Sequence, residues 1–241
     1  MKNNLLLMVS MLICSASISA LASDWKEIPS DHIYSPKGFD DNDNVEVVVT
    51  GYLPNLCYRS PRAEVHFAGP KIIEISLESL YQAPSERDIQ CAQMLVPFVL
   101  PVSLGLLDSG DYTVIVGKGT FYEQQSKMKV EHSTSDAIDD FIYAGVEYVE
   151  VKSAGQRVVE LKGHNPSYCF ELDHIEYISN NKDTYSILPI MKKISSNCPR
   201  KLTAFAYEWT VPEEINRDKV LLHVRSMDGR SINRLFDPTW D

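Results

Sequence analysis

The string GYLPNLC at residues 51–57 returns as GHNPSYC at residues 163–169, with glycine, proline and cysteine at the same three offsets. A turn reused in this way suggests a chain built from copies of one unit. The flanking residues extend the match. Val45, Val47 and Val49 alternate with Glu46, Val48 and Thr50 before the first glycine, and Val159 and Leu161 occupy the places of Val47 and Val49 before the second. Both are period-two patterns ending in glycine, which predicts a strand running into a turn.

The correspondence continues after the second cysteine of each half. Phe98 and Phe205 each lie seven residues beyond a cysteine, and Val102 pairs with Trp209 and Leu104 with Val211 at equal offsets. A closing strand follows at nearly equal distances, carrying Tyr112, Val114 and Val116 in one half and Val220, Leu222 and Val224 in the other. The middle differs. Ile73, Ile75 and Leu77 alternate in the first half, whereas Asn180 and Asn181 interrupt the second. This reads as a duplicated domain, with a period too long for a solenoid.

Strand periodicity dominates, and turn residues punctuate the chain every 8 to 12 residues or so, as in sandwich domains. The predicted fold is all-β: two tandem immunoglobulin-like antiparallel β-sandwich domains. The expected partition is a signal peptide over 1–22, a first sandwich over 23–130, a linker over 131–140 and a second sandwich over 141–241. The cysteine–tryptophan arrangement of antibody domains is missing, because Trp209 follows the second cysteine of its half. The exact topology therefore stays open.

The N-terminus supports export. Lys2 precedes an apolar run over residues 5–13, too short to span a bilayer. Ala20, Leu21 and Ala22 form a small-x-small cleavage signal, so the mature chain is expected to begin at Ser23. Cys14 is a poor lipidation site, because Ile13 stands where a small residue is needed. Four cysteines then remain: Cys57, Cys91, Cys169 and Cys198. An even number in an oxidising compartment predicts disulfides. Of the three connectivities, duplication favours pairing within each unit, Cys57 with Cys91 and Cys169 with Cys198. Each bridge would be worth roughly 3.5 to 4 kcal/mol by the loop-entropy argument. The expected location is periplasmic or secreted.

The stretch containing Gly51, Leu53, Pro54, Cys57, Cys91, Ala92, Gln93, Leu95, Val96, Pro97, Phe98, Gly110 and Tyr112 resembles an uncharacterised family of bacterial secreted β-sandwich domains. That family carries a G-x-L-P-x-x-C turn followed by C-A-Q-x-L-V-P-F. The likeness covers residues 33–116, and the second half keeps only Gly163, Pro166, Cys169, Cys198 and Phe205 of the pattern. It implies a secreted sandwich and no activity.

The chemistry is sparse. DDNDN at residues 40–44 offers carboxylates to calcium, but lacks the glycine and distant glutamate of an EF-hand, so a solvated loop is expected. His32, His66, His132, His164, His174 and His223 form no zinc pair. His164 holds the place of Tyr52 and is expected in a surface turn. His223 alternates with Leu222 and Val224 and is expected to face solvent. No Gly-x-Ser-x-Gly elbow is present, and the cysteines are committed to bridges. Phe98, Phe205, Tyr207 and Trp209 are assigned to core, and Tyr52, Tyr58, Phe67, Tyr81 and Trp240 to the surface.

No catalytic, metal or cofactor site is expected. The net charge of −10 disfavours nucleic acid and anionic lipid, and no membrane insertion is expected after signal cleavage. The expected function is a non-catalytic binding or structural module of the cell envelope with a protein partner. The alternative is a secreted hydrolase inhibitor acting through residues 52–61.

Overall fold

A computed structural model describes residues 24–82, 91–153, 157–215 and 219–237. The leader at 1–22, with Cys14, and Trp240 lie outside the described residues. Those described form strands and turns, and no helix among them is long and apolar enough to cross a membrane.

The first nine strands are β1 (Asp24–Glu27), β2 (Ser30–Tyr34), β3 (Phe39–Asp40), β4 (Val45–Leu53), β5 (Tyr58–Gly69), β6 (Ile72–Tyr81), β7 (Val96–Gly105), β8 (Gly110–Val116) and β9 (Gln124–Glu131). They make a three-stranded sheet, β2-β4-β7, facing a sheet in which β5, β6, β8 and β9 are successive neighbours. The short β1 and β3 extend this second sheet beside β6 and β9. The remaining strands are β10 (Val146–Ser153), β11 (Val158–Asn165), β12 (Phe170–Ser179), β13 (Thr184–Lys193), β14 (Thr203–Thr210), β15 (Val220–Ser226) and β16 (Arg230–Phe236). They pair in the same order, as β10-β11-β14 and β12-β13-β15-β16.

This order resolves the topology that the sequence leaves open. In an antibody constant domain the fourth strand joins the sheet of the first, second and fifth. Here the fourth strand, β6 or β13, lies between the third and the sixth. Successive strands of the unit reverse direction, so the fourth is antiparallel to the third, its hairpin partner, and parallel to the sixth, two strands further on. Ile72–Ile75 accordingly pairs parallel with Thr113–Val116, and Thr184–Ile187 with Leu221–Val224. The other long ladders are antiparallel.

The alternation read from the sequence places the cores. Val45, Val47 and Val49 on β4, Ile73, Ile75 and Leu77 on β6, and Val114 and Val116 on β8 form one buried cluster. Val159 and Leu161 on β11, Ile187 on β13, and Val220, Leu222 and Val224 on β15 belong to a second. Fully burying one such side chain contributes about 1.5 to 3 kcal/mol. Phe98 is buried, while Phe205, Tyr207 and Trp209 are half-buried against the second core.

Two glycines of the repeated motif do something other than turn the chain. Gly51 and Gly163 lie inside β4 and β11, and the turns begin after them. Each sits at a bulge in the ladder with the preceding strand, between Ser30 and His32 for Gly51, and between Val146 and Tyr148 for Gly163. A Cβ on Gly51 would stand 2.6 Å from the Pro29 carbonyl oxygen, and one on Gly163 would overlap the Gly145 carbonyl oxygen. Close backbone approach explains a glycine within a strand. Gly163→Ala is therefore expected to cost about 3 kcal/mol, the upper end of overpacking, measured by urea denaturation. Gly69→Ala is the control: a Cβ there meets nothing within 4 Å.

Candidate functional site

The two sandwiches meet across a polar joint that the sequence did not reveal. Strands β13 and β15 are buried along nearly their whole length, on both faces. Val220, Leu222 and Val224 point into their own core, and Leu221, His223 and Arg225 point the other way, against the first sandwich. Leu221 packs with Tyr34 and Val48. Around this small apolar seam the Ser186 hydroxyl donates to the Lys37 carbonyl at 2.6 Å, and the Asn180 amide donates to the Ser35 carbonyl at 3.2 Å. His32 Nε2 lies 2.7 Å from Asp183 Oδ2.

His223 corrects the sequence expectation. Alternation correctly put it on the face opposite Leu222 and Val224, but that face is covered, and His223 is 0 % exposed. Its Nδ1 stands 2.9 Å from Asn233 Oδ1 and 3.3 Å from Glu46 Oε1. Both neighbours accept, so Nδ1 carries a proton. Glu46 also accepts from Ser231 Oγ at 2.7 Å and Asn233 Nδ2 at 2.6 Å. Burial by itself would raise the Glu46 carboxyl; the bonds from His223, Asn233 and Ser231 outweigh it and hold the group below its ordinary range.

The acidic segment at 40–44 is likewise not a solvated loop. Asp40 and Asp43 are buried. Asp43 forms a two-point pair with the Arg225 guanidinium, with one contact at 3.1 Å, and also accepts the Asp40 N–H at 3.0 Å. Asp41 accepts from the Ser133 N–H at 2.8 Å and lies 2.8 Å from His132 Nδ1. Hydrogen bonds from Ser133 and His132 hold its carboxyl well below the usual range. These carboxylates stitch the two halves and the connecting segment together. Among the described residues, no group of three or more His, Cys, Asp or Glu side chains is placed to hold a metal ion.

The four cysteines form the two bridges expected, Cys57–Cys91 and Cys169–Cys198, with Cα separations of 5.5 and 5.6 Å. Each pins a short turn to the segment that leads into a strand of the three-stranded sheet, β7 or β14. A side chain two residues before the first cysteine braces the turn. Asn55 Oδ1 accepts the Cys57 N–H at 2.9 Å, and Ser167 Oγ accepts the Cys169 N–H at 3.1 Å. Asn and Ser are the residues that fold back on their own backbone in this way. Ser167 is thus a buried structural brace, and His164 lies within β11, 3.1 Å from Glu147, rather than in a turn.

Around each bridge the same positions carry exposed apolar side chains. Leu56 and Tyr168, each one residue before the first cysteine, are 43 % and 57 % exposed. Leu95 and Leu202, each four residues after the second, are 64 % and 70 % exposed. Met94, Tyr52 and Ile194 add to these surfaces. Of the aromatics assigned to the surface, Tyr52 and Phe67 are exposed, whereas Tyr58 and Tyr81 are half-buried against each other at 5.0 Å. Of residues 52–61, Tyr52 and Leu53 close β4, Tyr58 opens β5, residues 54–57 form the turn, and Ser60 and Pro61 lie at a bulge between Arg59 and Arg62.

Residues 47–127 match the ORF11 beta-sandwich domain family. The match begins within β4 and ends within β9, so it leaves out β1, β2 and β3 of the first sandwich. No curated protein and no solved structure matches the chain.

Proposed function

We propose that this chain is an exported, non-catalytic binding or structural module of the bacterial cell envelope, made of two copies of one disulfide-pinned sandwich. The observation that carries this reading is the recurrence of an exposed apolar pair at identical offsets about each bridge, Leu56 with Leu95 and Tyr168 with Leu202. Isolated surface leucines need no explanation, but clustered exposed apolar groups mark interaction sites. A turn held by a disulfide and a side-chain brace loses little freedom on binding, which favours affinity. Two disulfides and the leader-like N-terminus support a periplasmic or secreted location. The partner envisaged is an envelope protein.

Affinity capture tests this. The mature chain from Ser23, tagged and crosslinked in the envelope of its host, is expected to retain one stoichiometric protein. Leu56→Asp with Leu95→Asp is expected to lose that protein at least tenfold while keeping the melting temperature. Capture that ignores the double substitution would overturn the assignment of the first tip. A hydrolase in that place would favour inhibition instead, and an empty capture would count against a protein partner.

A further inference from the structure

From the second cysteine to the exposed leucine the first tip reads CAQML, without a charge, and the second CPRKL, with two cations. We infer that the tip of the second sandwich docks onto an anionic phospholipid surface. This deepens the binding-module reading and rests on it. The segment KKISSNCPRKL at residues 192–202 holds four cations and no carboxylate, in a chain whose net charge is −10. Lys192 is engaged, lying 3.0 Å from Glu171 and 3.4 Å from Asp173. Lys193, Arg200 and Lys201 are exposed, and among the described residues none has an ion-pair partner.

The apolar members surround the same bridge. Ile194 is 54 % exposed, and its N–H donates to the Cys169 carbonyl at 2.8 Å. Tyr168 adjoins Cys169, and Leu202 adjoins Thr203, which pairs with Asn165 at the end of β11. Three protruding apolar groups and three unpaired cations thus share one tip. Acids on this side of the second sandwich are engaged: Glu171 and Asp173 with Lys192, Glu147 with His164 at 3.1 Å, and Asp139 of the connecting segment with the N–H groups of Asp228 and Gly229.

This combination fits an anionic bilayer. Apolar groups can enter the headgroup layer while cations meet lipid phosphates, and tyrosine suits that boundary. Net charge argues against such a partner, but its reach is short. At physiological ionic strength, charges beyond about 8 Å are largely screened, so a membrane meeting this tip senses the cations before the acidic remainder. The contact is peripheral.

Sedimentation of the mature chain with vesicles tests the inference. Binding is expected to phosphatidylcholine vesicles containing phosphatidylglycerol, but not to phosphatidylcholine alone, and to weaken as salt rises. Each cation near an anionic surface is worth roughly fivefold in binding, so Arg200→Gln with Lys201→Gln is expected to lower it about 25-fold. Leu202→Ser is expected to weaken it with the charges kept. Unchanged melting temperatures for these variants exclude misfolding as the cause. No binding to the mixed vesicles, or equal binding to both kinds, would overturn the inference. No envelope protein is present in this assay, so its failure is distinct from a failure of capture at the first tip.

Discussion

Replacing Arg225 by alanine is expected to cost about 3 to 5 kcal/mol, because it leaves the buried Asp43 carboxylate without its counter-ion. Asp43 is 3 % exposed and Arg225 4 %, so water cannot substitute for the guanidinium without opening the joint. The loss would appear as a fall of about 10 °C in melting temperature for a chain of this size. The same argument predicts recovery. Replacing both partners by apolar residues, Asp43→Leu with Arg225→Met, removes the uncompensated charge, and such exchanges are often neutral or stabilising. A cost below about 1 kcal/mol for Arg225→Ala, the level of a surface pair, would mean that the sandwiches do not hold this contact in solution. Calorimetry gives a second reading. An intact joint makes the two halves unfold together, and the Arg225→Ala chain is expected to split into two transitions.

Removing a disulfide is the other large effect. Cys169→Ser with Cys198→Ser opens a 29-residue link, and Cys57→Ser with Cys91→Ser a 34-residue link. Each is expected to cost roughly 3.5 to 4 kcal/mol, mainly by freeing the unfolded chain, as read by denaturant titration with matched oxidised controls. The tips should respond before the cores do. Leu56, Leu95, Tyr168 and Leu202 around the bridges are exposed and belong to neither buried cluster, whereas the strands beneath carry the valine and leucine clusters. Hydrogen exchange near Leu56 or Tyr168 is therefore expected to accelerate under reducing conditions in which Val47 and Leu161 stay protected. Equal acceleration at both places would mean that bridge and core unfold as one unit.

Much of the fold was legible because strand burial has a period of two. Val45, Val47 and Val49, or Val220, Leu222 and Val224, announce an inward face without any knowledge of neighbours. The recurring glycine-proline-cysteine offsets likewise marked the turns, since a disulfide needs Cα atoms about 5.5 to 6 Å apart. Asn55 and Ser167 were findable by the same local reasoning, as side chains placed to brace a turn. The role of Gly51 and Gly163 was not. A glycine before a proline reads as a turn residue, and only the carbonyl oxygens of Pro29 and Gly145, pressed against those Cα positions, show why the side chain is absent.

The sequence by itself determined the all-β class, the inward faces and the bridges, because these depend on neighbours in the chain or on a pattern repeated along it; the exposure of Leu56, Leu95, Tyr168 and Leu202 was not among them. Tertiary structure decided the rest. Periodicity puts His223 and Arg225 on the face opposite their own core, but it cannot say whether water or protein covers that face. Docking of the first sandwich against β13 and β15 settles this, turning Asp43 of the acidic segment and an outward histidine into the interior of a joint. The partners Asp43 and Arg225 stand 182 residues apart. A pairing over that separation is fixed by how two folded surfaces fit, which local propensity does not encode.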